Sequence, residues 1–318
     1  MSVPVIELDD VRSAADRIQQ SVIRTPAIRC ERLSKRLGCQ IALKAENLQH
    51  VGAFKARGAA NAVLSLNEHD ASRGVVTHSS GNHAAALARA AARRGIPAHV
   101  VMPDNSSAVK IAAVQSYGVQ PVFCQPNETS RTETAEALRR ETGATFVHPY
   151  ETPAVIAGQG TVGLELLQQI ESIDAILVPV GGGGLLAGIL VAVKSLRPDV
   201  KVFAVEPAWA DDTARSLSIG SPQSPTRYDT VADGLRTGIG QNTFPVIQRW
   251  VDGLFLVSEN AILSAMRRIA EDAHLVCEPS GAVALAGLIE NADEFAGQTV
   301  GVVISGGNLD FADCKMGL

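Results

Sequence analysis

Lys55 lies in the run Gly52-Ala53-Phe54-Lys55-Ala56-Arg57-Gly58, at the mouth of an apolar helical stretch. A lysine among apolar neighbours is open to desolvation, which lowers its pKa and frees the neutral amine for Schiff-base chemistry. The plainer alternative is a surface lysine whose stem snorkels along the helix. Four consecutive glycines, Gly181, Gly182, Gly183 and Gly184, follow an apolar strand and precede an apolar helix. Glycines let backbone amides approach an anion closely, and a helix N-terminus adds about half a positive charge. A phosphate is the natural guest, and a ligand-free turn is the alternative. The run has neither the GxGxxG order of a dinucleotide site nor the GK[ST] of a P-loop. A third cluster, Ser79-Ser80-Gly81-Asn82-His83, offers helix caps or a nest of amides for a carboxylate. Taken alone, His83 reads as structural. Ser305-Gly306-Gly307-Asn308 closes the last strand and presents a hydroxyl to a ligand.

Each cluster needs an element to hold it. Short β-branched runs at 75–77, 98–102, 119–124 and 145–147 alternate with helical stretches at 84–94, 106–117 and 129–141. That alternation implies parallel strands with right-handed crossovers, enough for a small four-stranded unit. It resumes as helix 155–170, strand 175–180, helix 185–196 and strand 201–205, then strand 254–257, helices 260–272 and 281–290, and strand 299–304. The polar stretch 209–240 reads as a long ordered loop. The expected fold is α/β, with two open, twisted, mainly parallel lobes. Residues 1–73 and 151–318 form the larger lobe and 74–150 an inserted smaller one. Ligands of such sheets bind at the strand C-terminal edges, here in the cleft between lobes.

Of 318 residues, 46% are hydrophobic and the formal net charge is −5, which excludes global disorder and gives no attraction for nucleic acid. Apolar runs fall short of the ~20 residues of a membrane span, and the first residues carry no secretory pattern. Five dispersed cysteines fit reduced, structural thiols in the cytoplasm.

Together, the clusters at 52–58, 79–83, 157–161 (Ala-Gly-Gln-Gly-Thr), 181–184 and 305–308 resemble the serine racemase and serine/threonine dehydratase family. These are fold-type II enzymes dependent on pyridoxal phosphate (PLP) and related to the tryptophan synthase β subunit. The likeness runs from about residue 25 to 308. It implies that Lys55 carries PLP through an imine, with Phe54 packed beside it. Gly181 to Gly184 would hold the phosphate, Asn82 the ring hydroxyl and Ser305 the pyridine nitrogen. Ser79, Ser80 and His83 would surround the substrate carboxylate. Arg131 and Thr237 are further substrate candidates, Asp233 lies near the substrate, and Glu278 sits at the cofactor rim. The stretch Glu206-Pro207-Ala208-Trp209-Ala210-Asp211-Asp212 resembles the metal loop of serine racemases. There the Glu206 and Asp212 carboxylates, the Ala210 carbonyl and water would surround Mg²⁺, Mn²⁺ or Ca²⁺, as hard oxygen ligands suit. An acidic loop facing solvent is the alternative. Ala53 and Ala84 depart from the family's usual Ser and Gly, and Tyr150 falls in a segment that varies with substrate.

The resemblance implies an ammonia-lyase that converts serine, threonine or threo-3-hydroxyaspartate to a 2-oxo acid and ammonia, with serine racemisation beside it. The alternative is primarily a racemase with side dehydratase activity. A serine at the pyridine nitrogen leaves it unprotonated and the electron sink weaker, which favours loss of the β-hydroxyl. Ser80 would act on the face opposite Lys55. A homodimer is also implied, and the chain's end soon after Ser305 leaves no room for an amino-acid-sensing domain. The rival classes are a nucleotide-dependent oxidoreductase, which lacks its fingerprint here, and an inert scaffold, which would not need Lys55.

Overall fold

The computed structural model describes residues 5–79 and 81–310. Ten strands build two sheets. The larger combines β1 (Ala27–Arg29), β2 (Gln40–Ala45), β7 (Ala175–Pro179), β8 (Lys201–Pro207), β9 (Gly253–Val257) and β10 (Thr299–Ile304) in the order β1-β2-β10-β7-β8-β9. Only β1 runs antiparallel in it. The smaller sheet, β5-β4-β3-β6, is wholly parallel and consists of β3 (Val75–His78), β4 (Ala98–Pro103), β5 (Val122–Cys124) and β6 (Thr145–Phe146). This is the expected α/β architecture with two mostly parallel sheets.

Central strands such as β7 are buried along their whole length, as parallel strands covered on both faces require. The helix Gly184–Leu196 is buried through Val193 and packs into the larger core with Ile156, Leu166 and Val202. A separate core under the smaller sheet joins Val75 and Leu87 to Ala59, Val63 and Val155. Helix Lys55–Leu64 is therefore packed under the smaller sheet, while Phe54, just before it, is tied to the end of β10 in the larger one.

Helix Pro153–Gln169 is the spine between the two. A Cβ on Gly158 would lie 2.7 Å from the Gly58 Cα, and one on Gly188 would lie 2.4 Å from the Ile156 carbonyl oxygen. Backbones this close admit only glycine, which explains the 157–161 motif as a packing device. Beneath it, Arg57 donates to both oxygens of Glu46 at 2.8 Å and to both of Glu165 at 2.7 and 2.9 Å. Lys44 joins Glu165 at 2.5 Å. Arg57, Lys44 and Glu46 are fully buried. Such charges are tolerable only when paired, and stranding one costs about 3–5 kcal/mol.

Two expectations are corrected. The stretch 209–240 holds a helix, Asp212–Ile219, and a 3-10 turn, Asp233–Leu235, because Gly220 and buried Asp212, Thr213 and Ser216 make a local helix that polar composition hides. The strand expected at 119–124 is shortened to Val122–Cys124.

Candidate active site

The C-terminal end of β10 organises the site. The Phe54 amide donates to the Ser305 carbonyl at 3.1 Å and the Glu278 amide to the Gly306 carbonyl at 3.1 Å. Lys55, next in chain to Phe54, opens its helix beside them. Its Nζ donates to the Pro149 carbonyl at 2.9 Å and stands 5.0 Å from the Phe54 ring centroid. The residue keeps some surface toward the cleft, but its amine is enclosed by protein, and burial lowers its pKa to about 8. The snorkelling alternative is thereby set aside.

Tyr150 follows Pro149 and lies flat on the glycine run. A Cβ on Gly182 would come within 2.4 Å of its ring, and one on Gly184 within 3.0 Å of its Cβ. Gly183 has φ +85°, a left-handed backbone that glycine adopts without strain. All four glycines are buried. Among the described residues, the amides of Gly182, Gly183 and Gly184 donate to no protein acceptor. Buried backbone amides nearly always have a partner. Three together at a helix N-terminus make a cradle for an anion, and the group that fits is a phosphate. Behind the cradle, the Gly182 carbonyl accepts from Thr243 Oγ1 at 2.8 Å and from the Gly240 amide at 3.3 Å.

Opposite, Asn82 begins the helix Asn82–Arg94. Its Nδ2 donates to Glu278 Oε1 at 2.8 Å, and its Oδ1 accepts from Asn308 Nδ2 at 2.8 Å. Burial, then the charge of Asp233, raises the Glu278 pKa to about 8, so the group is mostly neutral at pH 7. The Ser305 hydroxyl donates to the Ser280 carbonyl at 3.4 Å. Ser79 Oγ accepts from the Gly81 amide at 3.3 Å, and Ser80 lies outside the described residues. His83 is buried, with Nε2 against the Val147 carbonyl at 3.2 Å and Nδ1 unpartnered. Burial, then the nearby Lys55 charge, drives its pKa well down. A neutral imidazole donating from Nε2 fits that environment.

The remaining candidates sit at the margins. Thr237 Oγ1 is 2.9 Å from the Tyr150 hydroxyl. Asp233 forms an ion pair with Lys110. Arg131 donates from Nε to the Asn127 carbonyl at 3.4 Å and adds to the burial that lowers the His78 pKa. Glu206 and Asp212 are both fully buried. Glu206 accepts the Thr213 and Ala214 amides at 2.9 and 3.0 Å. Asp212 Oδ2 accepts the Ile239 amide at 2.6 Å, and its Oδ1 has no partner. Burial, then Asp212, raises the Glu206 pKa to about 8, and burial raises Asp212 to about 7. The orphaned Asp212 oxygen, acting on the buried Glu206, is a donor of the kind a hard divalent cation takes, with the buried Ala210 nearby in sequence. Among the described residues no three or more His, Cys, Asp or Glu side chains gather into a metal-binding group.

Sequence reasoning assigned no role to His148 or Lys110. His148 Nδ1 accepts the Tyr150 and Glu151 amides at 3.3 and 3.1 Å, and burial, then His78 and Lys55, lowers its pKa to about 4. The His148-Pro149-Tyr150 run just beyond the third helix of the small unit was the available signal. Lys110, within an ordinary amphipathic stretch, offered none.

An amine depressed by burial, an amide cradle for phosphate and a ring of Asn82, Glu278 and Ser305, set between two mostly parallel sheets, define a fold-type II PLP enzyme. Residues 18–306 match the family of pyridoxal-phosphate dependent enzymes, and the chain belongs to it. Within the family it belongs with the serine racemases and hydroxy-amino-acid dehydratases. It is 42% identical to a serine racemase from Dictyostelium discoideum over 96% of both chains. It is also 42% identical to a beta-hydroxyaspartate dehydratase from Paracoccus denitrificans over 98% of both. The structure of maize serine racemase superposes with a TM-score of 0.95 at 40% identity, covering 97% of this chain and 95% of that one.

Proposed function

We propose that the chain is an ammonia-lyase that dehydrates a β-hydroxy-α-amino acid (serine, threonine or threo-3-hydroxyaspartate) to a 2-oxo acid and ammonia, and also racemises serine. The observation that carries this reading is the pairing of the desolvated Lys55 amine with the unpartnered amides of Gly182 to Gly184. Lys55 would hold the cofactor through its aldehyde carbon, and Gly181 to Gly184 would hold the phosphate. Asn82 would hold the ring hydroxyl, Ser305 the ring nitrogen, Phe54 one flank and Glu278 the rim. Bound there, PLP supplies an electron sink that acidifies the substrate Cα–H.

Once the substrate amine has replaced it on the cofactor, the Lys55 Nζ, enclosed by protein against the Pro149 carbonyl, would take that proton on one face. The Ser80 hydroxyl would serve the other face. Ser79 and neutral His83 orient the carboxylate, while Thr237, Arg131 and Asp233 bound the side-chain end. Asp212 and Glu206, with the Ala210 carbonyl, would hold Mg²⁺, Mn²⁺ or Ca²⁺. Asp212 anchors the Ile239 amide within the 237–243 segment that buttresses Gly182, so the cation would stiffen the phosphate cradle from behind. The 74–150 lobe boundary, read from the strand–helix alternation, a cytoplasmic setting, read from the dispersed cysteines, and a homodimer, implied by the resemblance, belong to the same proposal.

The test incubates holoenzyme with L- and D-hydroxy amino acids and follows ammonia, 2-oxo acid and chirality, with and without a chelator. Ammonia and oxo acid should appear together, fall on chelation, and vanish in Lys55→Ala with the visible cofactor absorbance. Absorbance that persists in Lys55→Ala, or a panel that releases no ammonia, sinks the reading. A second reading, mainly a serine racemase, is favoured by the buried Glu206 and Asp212 pair, whose loop resembles that of the racemases. Under either, Ser80→Ala should abolish inversion and spare part of the elimination.

A further inference from the structure

About two to three turns further along the helix that begins at Asn82, Arg89 and Arg93 face a cavity of about 90 Å³. Ala60 and Leu64 of the Lys55 helix form one wall, and Ser21 and Ala90 complete it. Arg89 is only 7% exposed. Its one hydrogen bond among the described residues runs from Nη1 to the Ser21 carbonyl at 3.0 Å. No acid pairs with Arg89 or Arg93 among the described residues. The charges acting on Arg89 are Arg93 and Tyr117, and the two arginines also act together on His50.

A guanidinium nine-tenths buried beside a second cation, with only a neutral carbonyl as partner, is an expensive arrangement. Elsewhere the chain avoids it: buried Arg57 is held by two carboxylates. An arginine fork facing a cavity matches the paired oxygens of a phosphate or carboxylate.

We propose that this cavity is a binding site for a small oxyanion of phosphate size, held by Arg89 and Arg93 and separate from the cofactor cradle. The site lies between two helices whose first residues are Lys55 and Asn82. A bound oxyanion braces them against each other from behind and stabilises the loaded enzyme.

The test uses PLP-loaded protein, so that the glycine cradle is already filled. Inorganic phosphate, glycerol phosphate and acetate are titrated at constant ionic strength, with heat of binding and thermal midpoint as readouts. Saturable phosphate binding with a rise in Tm is expected, and at least about a tenfold affinity loss in Arg89→Met. Arg93→Gln, at an exposed position, should weaken binding several-fold without disturbing the fold. Glycerol phosphate matching inorganic phosphate would point to an organic phosphate as the natural guest, whereas acetate binding as well would point to a carboxylate. No saturable binding of any of the three, or binding unchanged in Arg93→Gln, overturns the proposal.

Discussion

At Lys55, one buried amine decides whether the cofactor is captured. Its pKa of about 8 comes from desolvation, so the nucleophilic neutral form grows as pH rises through that value. Reconstitution of apoprotein with PLP, trapped at Lys55 by borohydride, should quicken about tenfold from pH 7 to pH 9 and then level. A rate that keeps rising to pH 10 would place the amine in water instead. Glu278 runs the other way. Its folded pKa, about 8, lies above the ordinary carboxylate value, so between about pH 4.5 and 8 the folded chain binds more protons than the unfolded one. Stability from this group therefore falls as pH rises through that window. Glu278→Gln should melt higher than wild type at pH 8, lose that advantage near pH 4, and keep most of kcat/KM at pH 7. A loss beyond about tenfold at pH 7 would mean that the ionised carboxylate is required.

Among the elements, helix Pro153–Gln169 places the chemistry without touching it. It meets the Lys55 helix at Gly158 and Gly58 and the cradle helix at Gly160 and Gly188. Gly158→Ala would set a methyl 2.7 Å from the Gly58 Cα and 2.8 Å from the Arg57 carbonyl oxygen. Both neighbours are backbone, so the helices must part. The expected cost is about 1–3 kcal/mol in unfolding free energy, with weaker PLP binding as Lys55 retreats from the cradle. Denaturant melts and cofactor titration measure the two effects, and unchanged PLP affinity would separate packing from function. The glycine run shows the same double duty: Gly182 yields to the Tyr150 ring on one side and leaves its amide free on the other.

Across the whole molecule, an ion pair links the 74–150 stretch to the 151–318 stretch. Lys110, on the helix Ala108–Gln115, pairs with Asp233 in the 3-10 turn Asp233–Leu235. Asp233 in turn acts on Glu278, which accepts from Asn82. The pair is about a third exposed at each end, so its worth to stability is about 0–1 kcal/mol. Lys110→Met should hardly move Tm and leave kcat/KM near wild type at pH 7, yet shift the alkaline limb of the pH profile upward, because Asp233 loses its cation and presses harder on Glu278. An unshifted pH profile would reduce the ion pair to a surface contact.

The residue runs alone were enough for the α/β class, the parallel alternation, the Lys55 and glycine clusters and the family likeness, because these depend on local pattern and chain order. Their rough strand and helix positions followed from hydrophobic periodicity for the same reason. Which residues meet did not: Tyr150 against the cradle, Lys110 on Asp233, and Arg89 on the Ser21 carbonyl join segments far apart in the chain. The helix Asp212–Ile219 also escaped, since its polar residues are buried by tertiary neighbours rather than marked by an apolar stripe. Burial sets the charge of Lys55, His83 and Glu278, and burial is a property of the packed molecule; a linear order of side chains carries no dielectric.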